Sequence, residues 1–303
     1  MLNKRTVFVI GAGASVQYGF PLGQGLVRDI VAATQPGGTY LHAFTEMGFT
    51  LEECKLFHSR LRGSDASSID TFLEGNAEPI IRFGKVAIAH SILRAEWAAK
   101  NQGRMIGSPG QDHWLGYLWN VMRAGHKAAS FAENPVSFVS FNYDRVLEYY
   151  FTTVLANSFN LSEDEAGDLR QRALPILHLH GALTGVEFGA AESPTPETIS
   201  TSAAGIRVIH DTPSEGDTTF NLAFRYLGEA ELVVFLGFSY HPVNMERLRV
   251  RAVVQPTCVV KGTGYMMGGF EITAARRAIG GDQMIPSGGT QCLEFLRDYT
   301  PLE

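Results

Sequence analysis

The stretch TVFVIGAGASVQYGFP, residues 6–21, is the part of the chain from which the fold is read. Val7, Phe8, Val9 and Ile10 form a short, continuous apolar run, the pattern of a strand buried on both faces of a parallel sheet. The run stops at Gly11-Ala12-Gly13-Ala14-Ser15, where glycine lets the backbone turn sharply and come close to a ligand. Leu22, Leu26, Val27, Ile30 and Val31 then recur at helical spacing. Strand, glycine loop and helix in that order leave free backbone N–H groups at a helix start, an anion site suited to a pyrophosphate. Two features depart from the GxGxxG dinucleotide fingerprint. Its third glycine would fall on Val16, and no acidic residue ends a second strand about 20 residues further on. Asp29 lies inside the helical pattern instead.

Composition narrows the classes. A chain of 303 residues buries a sizeable core and fits one large domain or a domain with a subdomain. An apolar fraction of 45% and a charged fraction of 18% describe an ordinary globular protein. The net charge of −6, without a Lys/Arg cluster, argues against a large nucleic-acid footprint. Cys54, Cys258 and Cys292 are isolated, which excludes a four-cysteine zinc site and disfavours a disulfide framework. No apolar run approaches the roughly 20 residues that span a bilayer. The N-terminus enters a strand directly, without a signal-peptide layout. The expectation is a cytoplasmic enzyme with no membrane association.

Outward from the opening stretch, residues 37–63 give no clear pattern. Residues 65–132 are helical, with one pattern from Ile69 to Trp97, for which Ser68 is a candidate cap, and another over 114–131. Strands are expected over 136–141, 175–179, 232–236 and 257–260, with a short one over 205–211. Helices follow at 146–151, 220–227, 243–254, 271–279 and 290–299, and surface loops at 103–110, 185–201 and 262–269. The alternation describes one α/β domain, a mostly parallel sheet (about 1–36 and 133–303) carrying an inserted, smaller helical module (about 65–132).

Four apolar runs are each followed at once by small or polar residues. These are Gly11, Gly13 and Ser15; Asn142 and Asp144; His180 and Gly181; and Gly237 and Ser239. In a parallel sheet all carboxyl-terminal strand ends lie on one edge, where ligands bind, so the four clusters converge on one crevice. Each also has a plain structural reading. Asn142 suits a helix cap, and His180 before Gly181 suits a turn. His178 and His180, two apart on a strand, share a face and suggest a metal pair, although no cysteine pair or HExxH helix accompanies them. Asp70 reads as a solvated first-turn carboxylate, and Ser239 and His241 as loop residues. Phe141, Tyr143, Tyr149, Tyr150 and Phe151 read as core.

The ordered set GAGAS with GFP, SSIDTFLE, SFNYDRVLE, LHLHGAL and VVFLGFS resembles the SIR2-like domain of bacterial anti-phage defence proteins, relatives of the sirtuins. The resemblance covers nearly the whole chain. It implies a Rossmann-type sheet with a smaller helical module and NAD+ between them. It implies that Gly11, Ala12, Gly13 and Ser15 cradle the pyrophosphate and that Phe20 and Pro21 line the nicotinamide side. Asn142 and Asp144 match the polar loop beside the nicotinamide ribose, His180 the catalytic histidine, and Gly237 and Ser239 the loop holding the adenosine half. Sirtuin deacylases carry a zinc ribbon of two cysteine pairs, which this chain lacks, so the resemblance favours NAD+ hydrolysis without a metal.

In that chemistry nicotinamide leaves neutral and needs no general acid. Asn142 would orient the ribose hydroxyls and a water, and His180, with an unperturbed pKa near 6.5, would take a proton from a hydroxyl or from the water. The expected activity is an NAD+ glycohydrolase (NADase) that depletes NAD+ in abortive infection, with Asn142, His180 and Asp144 as its catalytic set. A deacylase or ADP-ribosyltransferase using the same site is the first alternative, and a non-catalytic NAD-sensing or nucleotide-sensing module the second. An NADase active at all times would be toxic. Control is therefore expected from a homo-oligomer or an operon partner, for which family precedent suggests a ring ATPase, an Argonaute-type protein or a nucleotide-processing enzyme.

Overall fold

Thr6–Ile10 forms β1, the middle strand of a five-stranded sheet, and every one of its residues is buried. The computed structural model describes residues 2–38, 40–106, 112–208, 218–280, 289–300 and 302. The other strands are β2 (Val136–Ser140), β3 (Ile176–His178), β4 (Leu232–Leu236) and β5 (Val259–Gly262). They lie in the order β3-β2-β1-β4-β5, and every pairing is parallel. The register sets Phe8 between Phe138 and Val234. The chain steps outward from β1 to β2 and β3, then returns to the other side of β1 for β4 and β5. That reversal creates a switch point between β1 and β4, the place where open parallel sheets bind ligands beyond their carboxyl ends. The α/β class and the Rossmann-like parallel sheet are as expected.

Helices cover both faces. Among the described residues, the chain between β1 and β2 carries α1 (Gly23–Ala33), α2 (Leu41–Glu46), α3 (Leu51–Gly63), α4 (Ile69–Glu74), α5 (Ile80–Asn101) and α6 (Trp114–Arg123). Next come α7 (Val146–Phe159) and α8 (Glu163–Ala173), then α9 (Pro196–Ala203) and α10 (Thr218–Glu229) before β4. After it follow α11 (Pro242–Leu248), α12 (Val250–Val253), α13 (Gly269–Ile279) and α14 (Cys292–Asp298). Alternate residues of each strand enter different cores, as the two-residue period of a strand requires. Phe8, Ile10, Phe138 and Val234 pack with the helices between β1 and β2. Val7, Val9, Val139 and Phe235 pack with α10 to α13. The inserted helices therefore share one apolar core with the sheet. Among the described residues, no helix is long and apolar enough to cross a membrane.

Several boundaries differ from the sequence reading, each for a local reason. Residues 37–63 contain α2 and α3, and α3 begins with a reciprocal capping box in which Thr50 accepts from the Glu53 N–H and Glu53 from the Thr50 N–H. The helix expected over 114–131 ends at Arg123, and a separate tight turn spans Phe131–Glu133. The loop expected over 185–201 holds α9, whose Thr195 cap and Pro196 in the first turn are helix-start signals. The helix expected over 243–254 breaks at Arg249, which takes a left-handed conformation at φ 50°. α8 had no counterpart in the sequence reading. Of the strand expected over 205–211, a single antiparallel bridge from Ile206 to Gly181 is formed, and 209–211 lie outside the described residues.

Candidate functional site

The β1 loop does not lead straight into α1. Two tight helical turns, Ala12–Ala14 and Val16–Tyr18, intervene, so the α1 start is not the end that faces the glycines. Gly11 donates its N–H to the Leu236 carbonyl at 3.0 Å and Gly13 to the Gly237 carbonyl at 2.9 Å. These two N–H groups, expected to cradle a pyrophosphate, tie the β1 loop to the β4 loop instead. The Ala12 N–H has no backbone partner among the described residues. Gly237 sits at φ 57°, a conformation that favours glycine. A side chain on Gly13 would come within 2.8 Å of the Gly237 Cα. Glycine is thus required at Gly13 by backbone packing. Gly13→Val is expected to destabilise the fold by about 1–3 kcal/mol, in the range for overpacking, read as a lower urea midpoint. An unchanged midpoint would show that the two loops have room to part.

Asn142 reaches across from β2 to the same loop. Its Nδ2 donates to the Gly11 carbonyl at 3.2 Å and to Ser15 Oγ at 3.1 Å. Asp144 accepts from the Val146 N–H at 3.2 Å and is hydrogen-bonded to the Ser15 hydroxyl. Asp144, and not Asn142, therefore serves the first turn of α7. Burial pushes the Asp144 carboxyl up to about 6, against the opposing Val146 N–H, Ser15 hydroxyl and His178 charge. Ser15, Asn142 and Asp144 are brought together as expected, but with the Ser15 hydroxyl and the Asn142 amide turned inward, holding the β1 loop in place.

The two histidines of LHLH part company because β3 ends at His178. His178 donates from Nδ1 to the Asn142 carbonyl at 2.9 Å and from Nε2 to Glu148 at 2.8 Å. Burial opposes its charge. The Glu148 carboxylate, the hydrogen bonds to Glu148 and Asn142, and Asp144 outweigh that and raise it to about 9. Both ring nitrogens of His178 are thus engaged within the protein. A histidine raised on folding contributes stability that is fully present below about 6.5 and is lost as pH climbs through its folded pKa. The unfolding free-energy gap between wild type and His178→Gln should therefore shrink between pH 7 and 10. A gap that widens would overturn the ion pair.

His180 lies in the turn beyond β3 and is only 3% exposed. Its ring meets Phe141 edge-on at 5.2 Å and lies 6.1 Å from Tyr143. Asp70 Oδ1 stands 3.8 Å from His180 Nδ1 and also accepts a hydrogen bond from the Tyr143 hydroxyl. His180 Nε2 is buried without a hydrogen-bond partner among the described residues. Burial lowers the His180 pKa, Asp70 opposes the shift and Arg247 adds to it, so the balance favours the neutral ring. No protein-family model and no curated protein matches this chain.

The expectation for Asp70 needs correction. Its side chain is only 21% exposed and faces the turn after β3 rather than solvent. Phe20 is buried in the core shared with the helices, and Pro21 is half-buried. Ser239 is exposed. Phe141, Tyr143, Tyr150 and Phe151 are buried as expected, and Tyr149 stacks on Phe188.

One supporting pair was missed by the sequence reading. Arg145 binds Glu96 of α5 through Nη2 at 2.5 Å and through Nε and its backbone N–H at 3.1 Å each. The signal was present, because Glu96 falls on the apolar stripe of Ile92, Leu93 and Ala99, where an unpaired acid would not be stable.

Proposed function

We propose that this chain is a SIR2-like NAD+ glycohydrolase that releases nicotinamide and ADP-ribose, acting in anti-phage defence by NAD+ depletion. The observation that carries the reading is the buried His180 ring at the carboxyl edge of the sheet, with an Nε2 that lacks a hydrogen-bond partner among the described residues. Such an atom is an acceptor in want of a hydroxyl or water proton, the demand a general base meets. At the other end of the dinucleotide the fit is narrower than the motif implies, since Gly11 and Gly13 are engaged with β4, while the Ala12 N–H has no backbone partner among the described residues and could serve a phosphate. Asn142 and Ser15 set the shape of the β1 loop, and Asp144 holds both that loop and the α7 start.

In this reading NAD+ is the substrate. The positive charge on nicotinamide makes it a good leaving group, and His180 takes a proton from a ribose hydroxyl or from the attacking water. Burial of His180 favours a second reading, a module that binds NAD+ and signals to a partner without cleaving it. Incubation with NAD+, alone and with the operon neighbour, separates the two. Nicotinamide and ADP-ribose by chromatography support the hydrolase. Calorimetric binding without either product supports the sensor, and absence of both binding and turnover rejects the nucleotide reading altogether.

A further inference from the structure

Asp70 belongs to a different part of the chain from the strand ends, and its place beside His180 is enforced by packing. Ser68 Oγ accepts from the Thr71 N–H at 3.1 Å and caps α4. Ile69, Phe72 and Leu73 are buried beneath the helix. Leu73 lies so close to Gly84 of α5 that a Cβ there would come within 2.5 Å of its Cδ2. The carboxylate this helix carries is held a second time by the Tyr143 hydroxyl, which donates to the same Oδ1 that faces His180 Nδ1.

A neutral imidazole carries its proton on one nitrogen and a lone pair on the other. A lone pair on Nδ1 would oppose the Asp70 carboxylate oxygen, whereas an Nδ1–H points its positive end at it. We propose that Asp70 is a positioning residue for His180, holding the ring in the Nδ1–H tautomer so that Nε2 presents its lone pair to a hydroxyl donor. The catalytic consequence rests on the NAD+-hydrolase reading; the tautomer does not. The groups facing His180 are Asp70 from α4, Tyr143 from the loop after β2 and Arg247 from α11. Of these, Asp70 is the one whose charge favours a proton on the ring.

The test is a long-range proton–nitrogen NMR spectrum of the full chain, with the His180 ring assigned by its loss in His180→Gln. Wild type should show the Nδ1–H tautomer at pH 7, and Asp70→Ala a mixture or the Nε2–H form. An Nε2–H wild type, or a folded Asp70→Ala with an unchanged tautomer, overturns the proposal. Should Asp70→Ala not fold, Asp70→Asn retains an acceptor for Tyr143 and removes only the charge. Its His180 titration midpoint should fall below that of wild type, and an equal or higher midpoint counts against Asp70. If NAD+ is cleaved, Asp70→Ala should lower kcat by about 100-fold, the penalty of a misplaced group, with KM little changed. If no variant cleaves NAD+ while the tautomer behaves as stated, the hydrolase reading fails and the role of Asp70 stands.

Discussion

His180→Ala is expected to bind NAD+ nearly as wild type does and to lose turnover by about two to four orders of magnitude, the range for deleting a general base. The expectation follows from what the ring touches. Its ring faces Phe141, Tyr143 and Asp70, and its Nε2 has no hydrogen-bond partner among the described residues. Removing the ring therefore leaves the β1 loop untouched, because that loop is tied to Leu236, Gly237 and Asn142. Single-turnover nicotinamide release and calorimetry on the same variant give the two numbers. Wild-type turnover would end the catalytic assignment, and a folded variant unable to bind NAD+ would make His180 a binding residue. Asn142→Ala should behave differently. It leaves the Gly11 carbonyl with the Ala14 N–H alone and removes the Asn142 donor from Ser15, so binding and thermal stability should fall along with turnover.

Glu96→Ala is expected to destabilise the fold by about 3–5 kcal/mol, the penalty for removing one partner of a buried ion pair. Glu96 is fully buried at 0% exposure, and Arg145 retains only carbonyl partners, Val186 and Glu187, once the carboxylate is gone. Burial, joined by the Glu148 charge, pushes the Glu96 carboxyl up, and the hydrogen bonds and charge of Arg145 oppose that shift. Glu96→Gln keeps the shape and one acceptor and should lose less. Urea unfolding monitored by circular dichroism measures both variants. A loss below about 1 kcal/mol, the worth of an exposed pair, would show that water reaches the site. Because Arg145 follows directly on Asn142-Tyr143-Asp144, the alanine variant should also weaken NAD+ binding in the folded fraction.

The parts of the site that were legible in advance are those written by neighbours along the chain. Gly11 to Ser15 follows an apolar run, and so do Asn142, His180 and Gly237, and a parallel sheet is bound to align such ends on one edge. Asp70 was misread because a carboxylate in the first turn of a short helix looks the same whether it faces water or a histidine. Glu96 could have been found from its apolar stripe, but no local pattern names Arg145 as its partner.

By itself the sequence determined the α/β class, the central strands, the core aromatics and the edge on which polar residues gather. Those follow from short-range physics, the two-residue period of a strand, the helical period and the capping of chain ends. Tertiary structure alone decided which groups are engaged and which are free. Gly13 and Gly237 interlock because β4 returns beside β1. His178 is consumed by Glu148 and the Asn142 carbonyl, while His180, two residues later, escapes the strand and meets an aspartate from a helix more than a hundred residues upstream. Hydrogen bonds between distant segments depend on where each backbone is finally carried, and no residue's neighbours in sequence record that.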